Sequence, residues 1–217
     1  MGEQPPVNQG EIGEISQTNR EAEIVANQKF LKRYGFEISD EDVRKLIESI
    51  PQNSIDELSG PEKHKIGYLV IPAIKIPDLI SKIEDDDRWI VTFEDISAEE
   101  MDLIAPRSEQ NYAIAFPLPR GDEETQESVT DWETSGKTYM NLYERLILVL
   151  KATHIWGDDR WNLLNWRTIC PGKIDTYVSP NVPGYSDFHF SCRVYKYPDP
   201  FLEPGEIGPC EIVTNLE

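Results

Sequence analysis

Nothing in this chain is long and apolar enough to cross a bilayer as a helix: the longest unbroken apolar run is Leu146 to Leu150. Cysteine is scarce as well. Cys170, Cys192 and Cys210 are odd in number and widely spaced, which excludes a disulfide framework. Bases are outnumbered, 21 Lys and Arg against 40 Asp and Glu, for a formal charge of -19. A surface this acidic repels phosphate backbones and anionic lipid, so direct binding to nucleic acid or to a membrane is not expected. The opening "MGEQPPVNQGEIGE" lacks the basic region and apolar stretch of a secretory signal, and Pro6 stands where a myristoylation signal carries a hydroxyl. A cytoplasmic location is therefore expected. Repetition is lacking too: Gly-Glu-Ile recurs at 10–12, 13–15 and 205–207, but three tripeptides do not make a repeat architecture.

What is present suits a packed core. The chain has 217 residues, with five tryptophans and nine tyrosines to supply large apolar surfaces. Sixteen prolines and thirteen glycines imply more turns than a helical bundle carries. The charge is unevenly placed. Residues 1–150 hold 31 acids against 15 Lys and Arg, residues 151–197 four against six, and residues 198–217 five against none. The stretch 151–197 is thus the one region that is not acidic.

Residues 1–18 are polar and free of aromatics, and are expected to form a mobile arm. Residues 19–217 are expected to form a single α+β domain, helical over about 20–60 and sheet-containing over about 65–217. From Arg20 the pattern is helical, with Ile24, Gln28 and Leu31 on one track, Ala26, Phe30 and Tyr34 on another, and Gly35 placed to end the helix. Ser39 then caps a second helix whose apolar track is Val43, Leu46, Ile47 and Ile50, with Pro51 as the stop. "IGYLVIP" (66–72), "RWIVTF" (88–93) and "NYAIAF" (111–116) read as strands. They are separated by helical turns in "IPDLISKIEDDD" and in "SAEEMDLIAP", where Ser97 and Glu100 stand in capping-box register. Connections so short favour a mixed or mainly antiparallel sheet. "DFHFSCRVYKY" (187–197) alternates as a strand, and "KIDTYV" (173–178) and "CEIV" (210–213) are its candidate partners.

"DWETSGKTYMNLYERLILVL" (131–150) resembles the tail of a phosphate-binding loop, but the first glycine position is Asp131, and Glu127 and Glu133 add further negative charge. The expected alternative is a helix from about Gly136 to Thr153, capped by Thr134 or Ser135, with Lys137 solvated. Tyr139, Met140, Leu142, Tyr143, Leu146, Ile147, Val149 and Leu150 make it apolar over more than half its circumference, so one long buried helix against the sheet is expected.

Chemistry-bearing residues are thinly spread. His154, His189, Cys170 and Cys192 share the neutral-to-basic region, but none forms the close pair that a structural zinc site uses. His189 and Cys192 are three apart on a strand, which sends them to opposite faces. Cys170, in "RTICPG", is a candidate nucleophile with His154 or His189 as its base, set against the inert buried cysteine that such a residue more often is. The acidic clusters "EDDDR" (84–88) and "GDDR" (157–160) lack the oxygen-ligand spacing of a calcium loop.

The aromatic segment differs in kind. Trp156, Trp161 and Trp166 recur every five residues, so they cannot share one helical face, and Arg160 stands among them. Such residues are enriched at the centres of protein interfaces. The leading expectation is a non-catalytic interaction or assembly protein that meets a protein partner through residues 154–167. The alternatives are an enzyme built on Cys170 and a histidine (or an acidic metal hydrolase), and an inhibitor whose acidic 1–150 face imitates nucleic acid. No cofactor or metal is expected, and self-association stays open.

Overall fold

The computed structural model describes residues 9–60, 65–85, 89–93, 96–97, 100, 108–118, 136–155, 168–170, 172, 176–181, 190–196 and 208–216. Helices come first in the chain. α1 (Gln9–Arg33) is followed by α2 (Asp40–Glu48) and α3 (Gln52–Ser59). Next come β1 (Ile66–Ile71), α4 (Ile76–Glu84), β2 (Trp89–Phe93) and β3 (Tyr112–Pro117). α5 (Leu142–Ile155) leads into β4 (Thr168–Cys170), β5 (Thr176–Asn181), β6 (Phe190–Lys196), β7 (Gly208–Pro209) and β8 (Val213–Thr214). The class is α+β.

The strands form two sheets rather than one. The first has the order β1-β3-β8 and is antiparallel throughout. The second has the order β2-β6-β5-β4-β7 and is mixed: β5 runs antiparallel to β4 and β6, while β2 joins β6 and β7 joins β4 in parallel. The three strand segments at 66–72, 88–93 and 111–116 therefore do not lie side by side. β1 and β3 pair, from Ile66↔Pro117 to Ile71↔Tyr112, but β2 goes to the other sheet. The reason is that both outer edges of the β1–β3 pair are taken. β8 occupies the edge of β3, and a side chain from α1 occupies the edge of β1, as described below.

Local signals account for most boundaries. Gly35, at φ +64, ends α1 in the left-handed conformation that glycine adopts without strain, and the Phe36 N–H turns back to the Leu31 carbonyl at 2.9 Å. The Ser39 side chain caps α2 by accepting the Asp42 N–H at 3.1 Å. Pro51, expected as a stop, also stands at the N-cap of α3, a helix the periodicity did not separate. Ser97 and Glu100 make the expected capping box: the Ser97 N–H donates to Glu100 Oε2 at 2.8 Å and the Glu100 N–H to Ser97 Oγ at 3.2 Å.

Two boundaries differ from expectation. α1 begins at Gln9, so the segment expected as a mobile arm over 1–18 is helical in its second half. α5 begins at Leu142, not Gly136, and is shorter than α1. Its cap is Asn141, because Asn141 Oδ1 accepts the Glu144 N–H at 3.0 Å while Glu144 Oε2 accepts the Asn141 N–H at 2.7 Å. Thr134 and Ser135 lie outside the described residues. Once started, α5 is enclosed: every residue from Leu142 to Ala152 is buried, including Glu144, Arg145 and Lys151.

The residues before α5 form a clasp instead of a helical turn. Tyr139 bridges Glu211 in antiparallel fashion, the Met140 N–H donates to the Cys210 carbonyl at 2.8 Å, and the Ile212 N–H donates to the Thr138 carbonyl at 2.9 Å. "CEIV" is thus not a partner of β6, whose neighbours are β2 and β5; in the latter, Tyr177 is in register with Tyr195 and Val178 with Val194. Residues 208–216 act as a strap. They join the second sheet through β7, the clasp through Cys210 and Ile212, and the first sheet through β8. Asn215 then reaches α2's C-cap, donating from Nδ2 to Ser49 Oγ at 2.9 Å.

Candidate functional site

Two clusters of buried polar side chains lie at opposite ends of α5. The first joins α1, β1 and α5. Arg20, Glu23 and Asn27 lie three and four residues apart, hence on one face of α1, and that face is turned toward β1. Glu23 and Asn27 are buried alongside Ile24, Phe30 and Leu31.

Asn27 serves the open edge of β1. Its Nδ2 donates to the Tyr68 carbonyl at 3.0 Å, and its Oδ1 accepts the Val70 N–H at 3.0 Å. One carboxamide thus supplies the donor and acceptor that a neighbouring strand would have supplied, and the strand edge is closed without another strand. Lys151 Nζ, from α5, donates to the same Tyr68 carbonyl at 2.6 Å and lies 2.9 Å from Glu23 Oε2. Arg20 closes the end of the cluster, with Nε 3.3 Å from the Tyr68 hydroxyl and its guanidinium 5.4 Å from the centre of that ring.

The second cluster is at the start of α5. Glu144 Oε1 accepts the Tyr112 hydroxyl of β3 at 2.8 Å, and its Oε2 accepts the Asn141 N–H. Burial pushes this carboxyl up to about 7, against the opposing pull of the Asn141 N–H and the Tyr112 hydroxyl. Burial, then the negative charge of Glu144, holds the Tyr112 hydroxyl far above its usual range. The Cys210 thiol is pushed up to about 12, chiefly by burial and in spite of the Arg145 cation. Tyr143, the second residue of the same helix, donates its hydroxyl to the Pro72 carbonyl at 2.5 Å and so fixes α5 to the turn after β1.

Of the residues singled out by sequence, Cys170 and His154 fall on described elements. Cys170 is the last residue of β4, 1% exposed, and is not in a disulfide. His154 falls in the last turn of α5. His189, Trp156, Arg160, Trp161 and Trp166 lie outside the described residues, as do "GDDR" (157–160) and Asp131 of the phosphate-loop motif. Lys137, expected to be solvated, is exposed and pairs with Glu211 at 2.6 Å. Among the described residues, no three His, Cys, Asp or Glu side chains are grouped to hold a metal ion, and no helix is long and apolar enough to cross a membrane.

Chemically, the two clusters hold hydrogen bonds and charge rather than reactive groups open to solvent. Glu23 and Lys151 neutralise each other, and both oxygens of Glu144 are occupied. No protein-family model, curated protein or solved structure shows a significant match to this chain.

Proposed function

We propose that this chain is a non-catalytic protein-binding module that meets its partner through residues 154–167, with Trp156, Arg160, Trp161 and Trp166 at the centre of the contact. The observation that carries this is how the segment is tethered. Its first two residues close α5, whose Ala152 is 4% exposed, and the residue after it opens β4, whose Cys170 is 1% exposed. A segment rich in Trp and Arg that runs between two elements with buried residues loses less freedom on binding than one that links surface elements. It also opens the stretch 151–197, the one part of an otherwise acidic chain where bases outnumber acids.

Two further observations favour this reading over its rivals. A Cys170 thiol with so little access offers a substrate no approach, which weakens the cysteine-enzyme alternative. On α1 and α2, Glu21, Asp40, Glu41 and Glu48 are paired with Arg44, Lys32 and Lys45, which dilutes the unbroken negative face that a nucleic-acid mimic requires. A cytoplasmic setting belongs to the proposal, in keeping with Cys170 and Cys210 lying outside any disulfide.

The test is cross-linking in native extract with the full chain as bait, comparing the wild type with Arg160→Ala/Trp161→Ala. A partner retained by the wild type and lost by a variant of unchanged melting temperature supports the proposal. Equal recovery of all partners by both proteins overturns it.

A further inference from the structure

The ladder between β4 and β7 brings together two cysteines from distant parts of the sequence. The strands run parallel, with Thr168 in register with Gly208 and Ile169 with Pro209, so the next position sets Cys170 beside Cys210. In-register residues on neighbouring strands point to the same face of a sheet, and both of these are buried, at 1% and 8% exposure. The ladder stops at this pair for a chemical reason. Residue 171 is a proline, with no N–H to offer the Cys210 carbonyl, which accepts from the Met140 N–H of the clasp at 2.8 Å instead.

The third cysteine is kept apart. Cys192 lies on β6 opposite Pro180 of β5, while Cys170 lies opposite Thr176 of that same strand. β5 therefore separates Cys192 from Cys170, and β5 with β4 separates it from Cys210. Neighbouring strands run about 4.8 Å apart, inside the range of about 4.4–6.8 Å over which two Cα atoms carry a disulfide. Strands two apart exceed it. Cys170 and Cys210 are thus the pair of cysteines that this sheet places within reach of an S–S bond, and the structure holds them as two thiols.

We propose that Cys170 and Cys210 are a redox latch: as thiols they leave the 208–216 strap able to part from β4, and a disulfide between them locks it in place. The step requires a hydroperoxide as oxidant. The Cys210 sulfur, having given up its proton, attacks one peroxide oxygen; the O–O bond breaks, and the oxygen that leaves takes a proton. The Cys170 sulfur then attacks the resulting sulfenic acid. Its S–S bond forms as the S–O bond breaks, and the departing hydroxide leaves as water with the Cys170 proton. Two thiols thus lose two electrons to one peroxide. Burial, which raises the Cys210 thiol to about 12, keeps it unreactive while the strap is seated. The seat is small, because β7 and β8 are two residues each, so local opening of the strap is what exposes Cys210 to the oxidant. This inference is independent of the aromatic contact surface and stands or falls separately from it.

The experiment is treatment of the full chain with a small excess of hydrogen peroxide at neutral pH. It is read by intact mass, by peptide mapping without reductant, and by hydrogen exchange of the Met140 and Ile212 amides, which cross the clasp. The mass falls by two hydrogen atoms, the link joins the peptides of Cys170 and Cys210, and protection of both amides rises by about tenfold. Dithiothreitol reverses all three changes. Cys192→Ala keeps the link, and Cys210→Ala shows neither link nor added protection. Thiols that stay reduced, links through Cys192 or between chains, sulfinic or sulfonic acid at Cys170 or Cys210, or a link that leaves clasp protection unchanged each overturn the proposal. The link is mapped in the unaltered protein, so the result does not depend on either variant folding.

Discussion

Lys151 meets Glu23 across 128 residues of sequence, with Nζ 2.9 Å from Oε2 and the two side chains 0% and 5% exposed. The pair fixes the central helix to the N-terminal one in a single register, and the Tyr68 carbonyl between them adds the sheet to the same joint. Its energetics are lopsided. Forming such a pair in place of apolar groups gains little, whereas removing one partner strands a charge in the core.

Lys151→Met should therefore lower unfolding stability by about 3–5 kcal/mol, measured by urea denaturation. Lys151→Met combined with Glu23→Leu should be less damaging than Lys151→Met alone. A double variant as unstable as the sum of the two single variants would show that no coupling exists between them.

Asn27→Leu should cost about 2–3 kcal/mol, because it leaves the Val70 N–H buried without its acceptor. The same change uncovers a strand edge, so the variant should also form larger species at high concentration, visible by size-exclusion chromatography. A monodisperse, fully stable Asn27→Leu protein would mean that the edge does not need the carboxamide.

The pH dependence of stability follows from Glu144. The folded protein holds this proton more tightly than an exposed glutamate does, with a carboxyl near 7 instead of the usual 4.5. Its contribution is complete below about pH 4.5 and is lost as the pH rises through about 7, with an upper bound of about 3 kcal/mol. Urea midpoints measured from pH 5 to pH 8 should decline in the wild type and decline less in Glu144→Gln. Parallel curves for the two proteins would remove Glu144 as the cause.

Gly67→Ala tests the packing of the first sheet. A Cβ at that position would lie 2.7 Å from Phe116 Cζ and 3.0 Å from Leu118 Cδ2, inside contact distance of two buried side chains. Overpacking of this kind should lower stability by about 1–3 kcal/mol, seen as a drop in melting temperature. Phe116→Leu in the same chain should recover part of the loss by clearing the ring from the site.

Local punctuation was legible in the sequence, while pairings between distant segments were not. Gly35, Ser39 and the Ser97–Glu100 box announced their roles through short-range chemistry. The same chemistry was available at Asn141 and Glu144, but apolar periodicity from Tyr139 onward suggested an earlier start for α5. Tyr139 and Met140 are better explained as clasp residues, and only the distant Cys210–Ile212 segment reveals that.

The polar clusters were hidden for a related reason. On α1, Gln28 falls on the apolar track by spacing, but it is half-buried and its side chain donates to the Asp40 carbonyl, whereas Glu23 and Asn27 face the core. A helical projection marks these two as polar residues beside Ile24 and Leu31. It cannot say that Lys151 and the edge of β1 wait there to satisfy them. The candidate contact residues Trp156, Arg160, Trp161 and Trp166 rest on composition and spacing, and their tests are those of binding.

The strap from Gly208 to Leu216 also has a consequence for biosynthesis. Both sheets, the clasp and the C-cap of α2 await residues that emerge from the ribosome long after α1 and β1. A nascent chain stalled before Gly208 would have to keep the outer edge of β3 and the outer edge of β4 uncovered, in a state where chaperones or other chains can reach them.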